Sequence, residues 1–358
     1  MIGRPRPAVA SMPRYRPGRG AAQAEADHGI TDAVKLASNE NPWAPVPAIK
    51  DAVEAAAAGL NRYADHRASE LRARLARWLE VEAEQVTVGA GSVTLLQQLF
   101  LAYVDPGDEV VYPWRSFEVY PVFSRLTGAA DVQVPLAGTV ADLDAVAAAV
   151  TPATKFVVLA NPNNPTSTAV GADRIAALLD AVPSDTLVVV DEAYREFADP
   201  DLGDLIPDLL PAHDNLLVLR TFSKAQGLAG LRMGYAVGHP DVVATLDVTS
   251  VPFSVNSIAQ AAALAAIDAI DEITAQAEII KSERSRVLEA LRARGLDVPP
   301  SETNFVWLPL AEATDEVYLD LEKDGVVTRP FAGDGLRVSI GAPDENDRFL
   351  AAMSRALE

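Results

Sequence analysis

Seven short runs rich in strand-forming residues recur between Val86 and Gly238: 86-VTVG-89, 109-EVVY-112, 131-DVQVPL-136, 156-FVVLA-160, 187-LVVVDEA-193, 216-LLVLRTF-222 and 234-GYAVG-238. Several are apolar at successive positions rather than at alternate ones. A strand of that kind has no face to offer water, so other elements must cover both of its faces. The intervening segments supply the cover, since stretches such as 171-GADRIAALLDAV-182 carry helical spacing. The alternation predicts an α/β domain around a mostly parallel seven-stranded sheet. In an open sheet of this type, ligands gather at the carboxyl ends of the strands.

Beyond about residue 250 the pattern changes. A long helical region, 257–295, leads to strand-like runs at 304-NFVWLPL-310 and 336-LRVSIG-341, and a helix at 343–358 closes the sequence. This reads as a smaller α+β domain made of residues 1–47 and 251–358, with residues 48–250 forming the larger one. A length of 358 residues suits two such units. The basic, proline-rich start lacks the apolar core of a secretory signal, and no run reaches membrane-spanning length, so the cytoplasm is the expected location.

Composition narrows the chemistry. A net charge of −20 argues against nucleic acid, whose phosphates call for clustered Lys and Arg. The absence of cysteine removes thiolate catalysis, disulfides and cysteine-ligated metals. The four histidines, His28, His66, His213 and His239, are scattered, and no metal site is expected.

Against that background Lys224 stands out among six lysines. A lysine after a strand is ordinarily a solvated surface residue. Lys224 instead follows the apolar run 216-LLVL-219, sits beside Thr221 and Ser223, and has Arg232 eight residues on. Other strand ends carry complementary groups. Asp191 caps the run 187-LVVV-190 and is followed by Glu192 and Tyr194, although an aspartate there also suits a helix cap. The polar turn 161-NPNNPTS-167 ends another strand. The stretch 89-GAGS-92 opens an apolar helix, where backbone N–H groups can hold a phosphate. One ligand would satisfy all of these groups if it carried a phosphate, a protonated ring nitrogen for Asp191 and an electrophile for Lys224. Pyridoxal 5′-phosphate combines the three.

In the same order along the chain stand 36-LASNENPW-43, 61-NRYADHRASELR-72, 89-GAGS-92, 161-NPNNPTS-167, 191-DEAY-194, 221-TFSKAQGLAGLRMGY-235 and 336-LRVSIGAPDEND-347. Through them nearly the whole chain resembles the fold-type I, class I and II aminotransferases, in the branch of the histidinol-phosphate and aromatic amino acid enzymes. The resemblance implies that Lys224 carries the cofactor covalently and moves the substrate proton. It further implies that Asp191 pairs with the ring nitrogen, and that Asn164 and Tyr194 bond the ring's phenolate oxygen. By the same resemblance Ser92, the amide of Val93, Thr221, Ser223 and Arg232 hold the phosphate, and Phe117 stacks on the ring. Tyr63 matches a tyrosine that reaches the neighbouring subunit's phosphate, which implies a homodimer with shared sites. Arg337 matches the clamp for the substrate α-carboxylate, with Asn164 assisting and Asn304 nearby.

The substrate is less sharply indicated. Arg329 matches a position used for the substrate phosphate in the histidinol-phosphate enzymes, and Tyr15 lies in a similar 15-YRPGR-19 segment. The stretches 89-GAGSVTLLQQL-99, 113-PWRSF-117 and 251-VPFSVNSIAQAAA-263 are closer to the aromatic branch, and Phe117, Trp114 and Phe253 are candidates for a slot that takes a flat ring. Gln226 departs from the aromatic common in the family and is expected in the pocket lining. The expectation is an aromatic amino acid aminotransferase with 2-oxoglutarate as acceptor. The alternatives are a histidinol-phosphate aminotransferase and a pyridoxal-dependent decarboxylase. A ligand sensor without catalysis fits the acidity poorly, and a nicotinamide-binding dehydrogenase would need the GxGxxG spacing that 89-GAGS-92 lacks.

Overall fold

The computed structural model describes residues 3–10, 12 and 18–357. The seven apolar runs form seven strands: β1 (Val86–Gly89), β2 (Glu109–Trp114), β3 (Ala130–Pro135), β4 (Thr154–Ala160), β5 (Leu187–Asp191), β6 (Leu216–Thr221) and β7 (Gly234–Gly238). They make one sheet in the order β1-β7-β6-β5-β4-β2-β3. Only β7 runs against its neighbours β1 and β6. The continuous apolarity of the runs has the expected cause. Along β5, Val188 and Val190 join one core cluster and Leu187 and Val189 the other, so each face of the sheet is packed under a separate layer.

A second, three-stranded antiparallel sheet holds β8 (Phe305–Leu308), β9 (Arg329–Phe331) and β10 (Gly335–Ser339), in the order β9-β10-β8. Val34–Lys35 pairs in parallel with Val326–Val327, tying the early chain to the late chain. The expected helical region 257–295 is two helices, Ser257–Asp268 and Ile270–Arg292, broken at Ala269. The first of them lies against Pro47–Ala57 and Ser69–Leu79. Val248 ends a helix and Ser257 begins the next, so residue 250 falls between them. One core cluster extends from Val34 to Met353. Among the described residues, no helix is long and apolar enough to cross a membrane.

Candidate active site

β5 and β6 are adjacent and parallel, with Asp191 registered against Leu219. Asp191 and Thr221 therefore end side by side at the carboxyl edge of the sheet. The chain then turns tightly: Gly227 N–H donates to the carbonyl of Lys224 at 3.0 Å, and Phe222 N–H returns to the carbonyl of Met233 at 3.0 Å. That turn sets Lys224 over the end of β5. Its Nζ donates to the backbone carbonyls of Asn39 (3.2 Å) and Ser38 (3.5 Å) and lies 5.6 Å from the centre of the Tyr194 ring.

One cavity gathers Lys224, Asp191, Tyr194, Ser92, Val93, Phe117, Asn164, Thr221, Ser223, Arg232, Arg329 and Arg337. They come from strand ends and helix starts far apart in the chain. Arg337, on β10, holds its guanidinium between two fixed acceptors, Asn164 Oδ1 at 2.7 Å and the carbonyl of Ala37 at 2.8 Å. Its planar fork is thereby oriented before any carboxylate arrives.

Burial dominates the electrostatics. It pushes the Asp191 carboxyl up from 3.8 to about 7, against a backbone hydrogen bond from Ala193 and the charge of Lys224. It likewise pushes the Lys224 amine down from 10.5 to about 7, assisted by Arg337 and Arg232 and opposed by Glu40. Glu192, next to Asp191, adds like charge that raises the aspartate further.

These residues fit the expected cofactor. Asp191 Oδ1 is buried with no hydrogen-bond partner among the described residues, as a carboxylate would be that awaits a cationic N–H. The helix Ser92–Tyr103 opens at Gly91, whose φ of 87° and closeness to Arg232 suit glycine alone; a Cβ there would lie 2.5 Å from Arg232 Nη2. A Cβ on Gly234 would collide with the amide nitrogen of Ser92. Both glycines thus keep a bare backbone cradle at a helix start, beside the hydroxyls of Ser92, Thr221 and Ser223. Arg232 Nη1 reaches Ser223 Oγ at 3.2 Å, placing a cation on the same spot.

Several expected residues lie elsewhere. Asn304 is fully buried but does not line the cavity; its Nδ2 donates to the carbonyl of Asn39 at 3.1 Å. Tyr63 is 84% exposed and stacks on Phe253, away from the cavity of its own chain. Tyr15 lies outside the described residues. Of the three aromatics expected to form a slot, only Phe117 lines the cavity: Trp114 borders an outer groove and Phe253 is at the surface. Gln226 is absent from the lining too, because its amide donates to the buried carboxyl of Glu196 at 2.8 Å. Glu192 also lies outside it, bound to Arg220 on β6 at 2.7 Å.

Three contributors have no role assigned from the sequence. Phe331, on β9, lines the cavity with Arg329 and Arg337 each within 6 Å of its ring. Glu118 lines it and binds Arg329 at 2.9 Å. Asn39 brings its carbonyl to Lys224. The segment 325-GVVTRPF-331 held a signal for Phe331 in placing an aromatic two residues after Arg329, and the Asn-rich turn 38-SNENP-42 one for Asn39.

The sequence model of the family described as Aminotransferase class I and II matches residues 31–353. An aromatic amino acid aminotransferase of Mycolicibacterium vanbaalenii is 47% identical over 350 residues, covering 98% of this chain and 97% of that protein. One from Thermobifida fusca is 51% identical over 346 residues, covering 96% and 95%. Among solved structures, the histidinol-phosphate aminotransferase of Sinorhizobium meliloti in complex with pyridoxal-5′-phosphate superposes with a TM-score of 0.92 at 31% identity, covering 100% of this chain and 98% of that one. A single mutant of the aspartate aminotransferase of Thermus thermophilus gives 0.84 at 28% identity, covering 99% and 100%.

Proposed function

This chain belongs to the class I and II aminotransferases and uses pyridoxal 5′-phosphate, and from that premise we propose that it moves an amino group between an aromatic amino acid and a 2-oxo acid such as 2-oxoglutarate. The observation that carries the reading is that one cavity holds both Lys224 and a buried Asp191 oxygen with no hydrogen-bond partner among the described residues. When bound, the cofactor supplies an aldehyde for the amino group and a cationic ring that absorbs the electron pair left by the α-proton. Asp191 would hold the ring nitrogen's proton, its carboxylate staying ionised beside that positive charge despite its burial. Lys224, with its affinity for protons brought down to about 7, takes the α-proton at Nζ and returns it. Arg337 grips the substrate α-carboxylate, and this orients the α-C–H bond so that proton loss is selected over loss of carbon dioxide. Ser92 and the amide of Val93, with Thr221, Ser223 and Arg232, would hold the phosphate, and Phe117 would stack on the ring.

The aromatic reading is favoured over histidinol phosphate by the Arg329–Glu118 ion pair, because the cation best placed for a substrate phosphate already has a carboxylate at 2.9 Å. Phe117 and Phe331 give the same cavity apolar walls for a flat ring. The reading extends to a cytoplasmic homodimer in which Tyr63, exposed on its own chain, completes the neighbour's phosphate site.

The purified protein is expected to be yellow and to transaminate phenylalanine and tyrosine with 2-oxoglutarate faster than histidinol phosphate, as measured by kcat/KM under one set of conditions. Faster turnover of histidinol phosphate would reverse the substrate assignment. Release of carbon dioxide without a keto acid would remove transamination.

A further inference from the structure

Asn39 is 1% exposed and lies where three remote parts of the chain meet. Its backbone is left-handed, with φ of 53°, a region asparagine tolerates better than most residues. Its N–H donates to Ser339 Oγ at 2.8 Å, and Ser339 Oγ donates its hydrogen back to Asn39 Oδ1 at 3.0 Å. In that exchange the amide oxygen lies on the serine side and Nδ2 faces Tyr194. Nδ2 then donates to the hydroxyl oxygen of Tyr194 at 2.9 Å. The carbonyl of Asn39 meanwhile accepts from Lys224 Nζ at 3.2 Å and from Asn304 Nδ2 at 3.1 Å.

We propose that Asn39 is a positioning residue that makes the Tyr194 hydroxyl a donor towards the cavity and holds the Lys224 amine over the end of β5. An amide N–H can only donate, so the tyrosine oxygen accepts at Asn39 and its hydrogen serves an acceptor other than Asn39. Tyr194 lines the cavity, and an anionic ring oxygen seated beside it would receive that hydrogen. The left-handed turn directs the Asn39 carbonyl at Lys224, and Asn304 secures the same carbonyl from behind. This gives Asn304 a role without any contact with substrate.

The assignment rests on the cofactor reading above, and the test separates the two. The holoenzyme, Asn39→Gly, Tyr194→Phe and their double variant are compared by kcat, KM and the pH midpoint of the bound cofactor's visible absorbance. Asn39→Gly keeps the positive φ and removes only the amide. The expected result is a fall in kcat of about five- to tenfold, the size of one lost hydrogen bond in the site. The midpoint should move in the same direction as in Tyr194→Phe, and the double variant should match Tyr194→Phe alone to within about twofold. Ser339→Ala, which frees the amide to turn, should move the midpoint the same way by less, and it serves as the probe if Asn39→Gly fails to fold. Full multiplication of the two single effects, or an unmoved midpoint, overturns the assignment while leaving the cofactor in place. A wild-type protein with no visible band overturns the cofactor reading and the Asn39 assignment together.

Discussion

Lys224 and Asp191 are displaced from their ordinary proton affinities in opposite directions and meet at about 7. This has consequences for the cofactor-free protein. In the unfolded chain Lys224 keeps its proton up to 10.5, whereas in the folded chain it releases it above about 7. Its penalty on folding is therefore full at and below about 7 and fades as the pH rises towards 10.5. For Asp191 the folded carboxyl holds its proton up to about 7 and the unfolded one only to 3.8, so stability is lost as the pH rises through that window. Urea unfolding of the cofactor-free protein checks both signs. Lys224→Met should stabilise most at and below about pH 7 and lose that advantage towards alkaline pH. Asp191→Asn should gain its advantage as the pH rises from about 4 to about 7. Differences from wild type that stay flat with pH would contradict the dehydrated setting of these two groups. Both residues were legible as candidates from their place after apolar runs. The direction of their side chains was not, and neighbouring Glu192, equally acidic in sequence, lies outside the cavity against Arg220.

At the scale of elements, the geometry of the site depends on two strand ends staying in register. Arg220, the penultimate residue of β6, is buried and binds Glu192 just past β5 at 2.7 Å, with Asp204 also at 2.7 Å. Arg220 is adjacent in the chain to Thr221, and Glu192 to Asp191. Removing the cation leaves a buried carboxylate without its counter-charge, a change that typically costs about 3–5 kcal/mol. Arg220→Met is expected to lower unfolding free energy by about that amount, as read from denaturant midpoints at constant slope. A loss below about 1 kcal/mol would mean that the pair behaves as a surface contact. The strands of the large sheet were readable because continuous apolar runs admit little else. Arg329–Phe331 was not: it is three residues long with a proline at its centre, too short to show a period. Nor was the break at Ala269, since neither glycine nor proline marks it.

At the scale of the whole molecule, the cavity is a meeting of chain ends. Ser38 and Asn39 from the early chain, Phe117 and Asn164 from the large sheet and Arg337 from the small one all line it. The bond between Asn39 and Ser339 spans 300 positions. Tyr63 is exposed and stacked on Phe253, outside the lining of its own chain's cavity. The proposed homodimer with shared sites would account for that position. Mixing a Tyr63→Phe variant with a Lys224→Ala variant under exchange should therefore restore activity, because a hybrid dimer contains one site with both residues intact. The expected recovery is about a quarter of wild-type activity for random pairing at equal amounts, since half of the dimers are hybrids and each carries one whole site. Absence of recovery with exchange demonstrated by mass spectrometry would end the shared-site reading.

The amino-acid sequence by itself determined the layered α/β architecture, because runs apolar on both faces can be buried only inside a covered sheet. It also determined the cofactor chemistry, because a lysine, an aspartate and a glycine-opened helix each follow such a run and must emerge at the same edge. Only the tertiary structure decided which polar residues face inward and which brace the walls. Asn304, Glu192 and Gln226 became supports, while Asn39, Glu118 and Phe331 became lining. The reason is that these outcomes depend on partners the fold brings together, from 28 positions away for Glu192 to 300 for Asn39, and a hydrogen bond across such a distance leaves no period, spacing or composition in the chain itself.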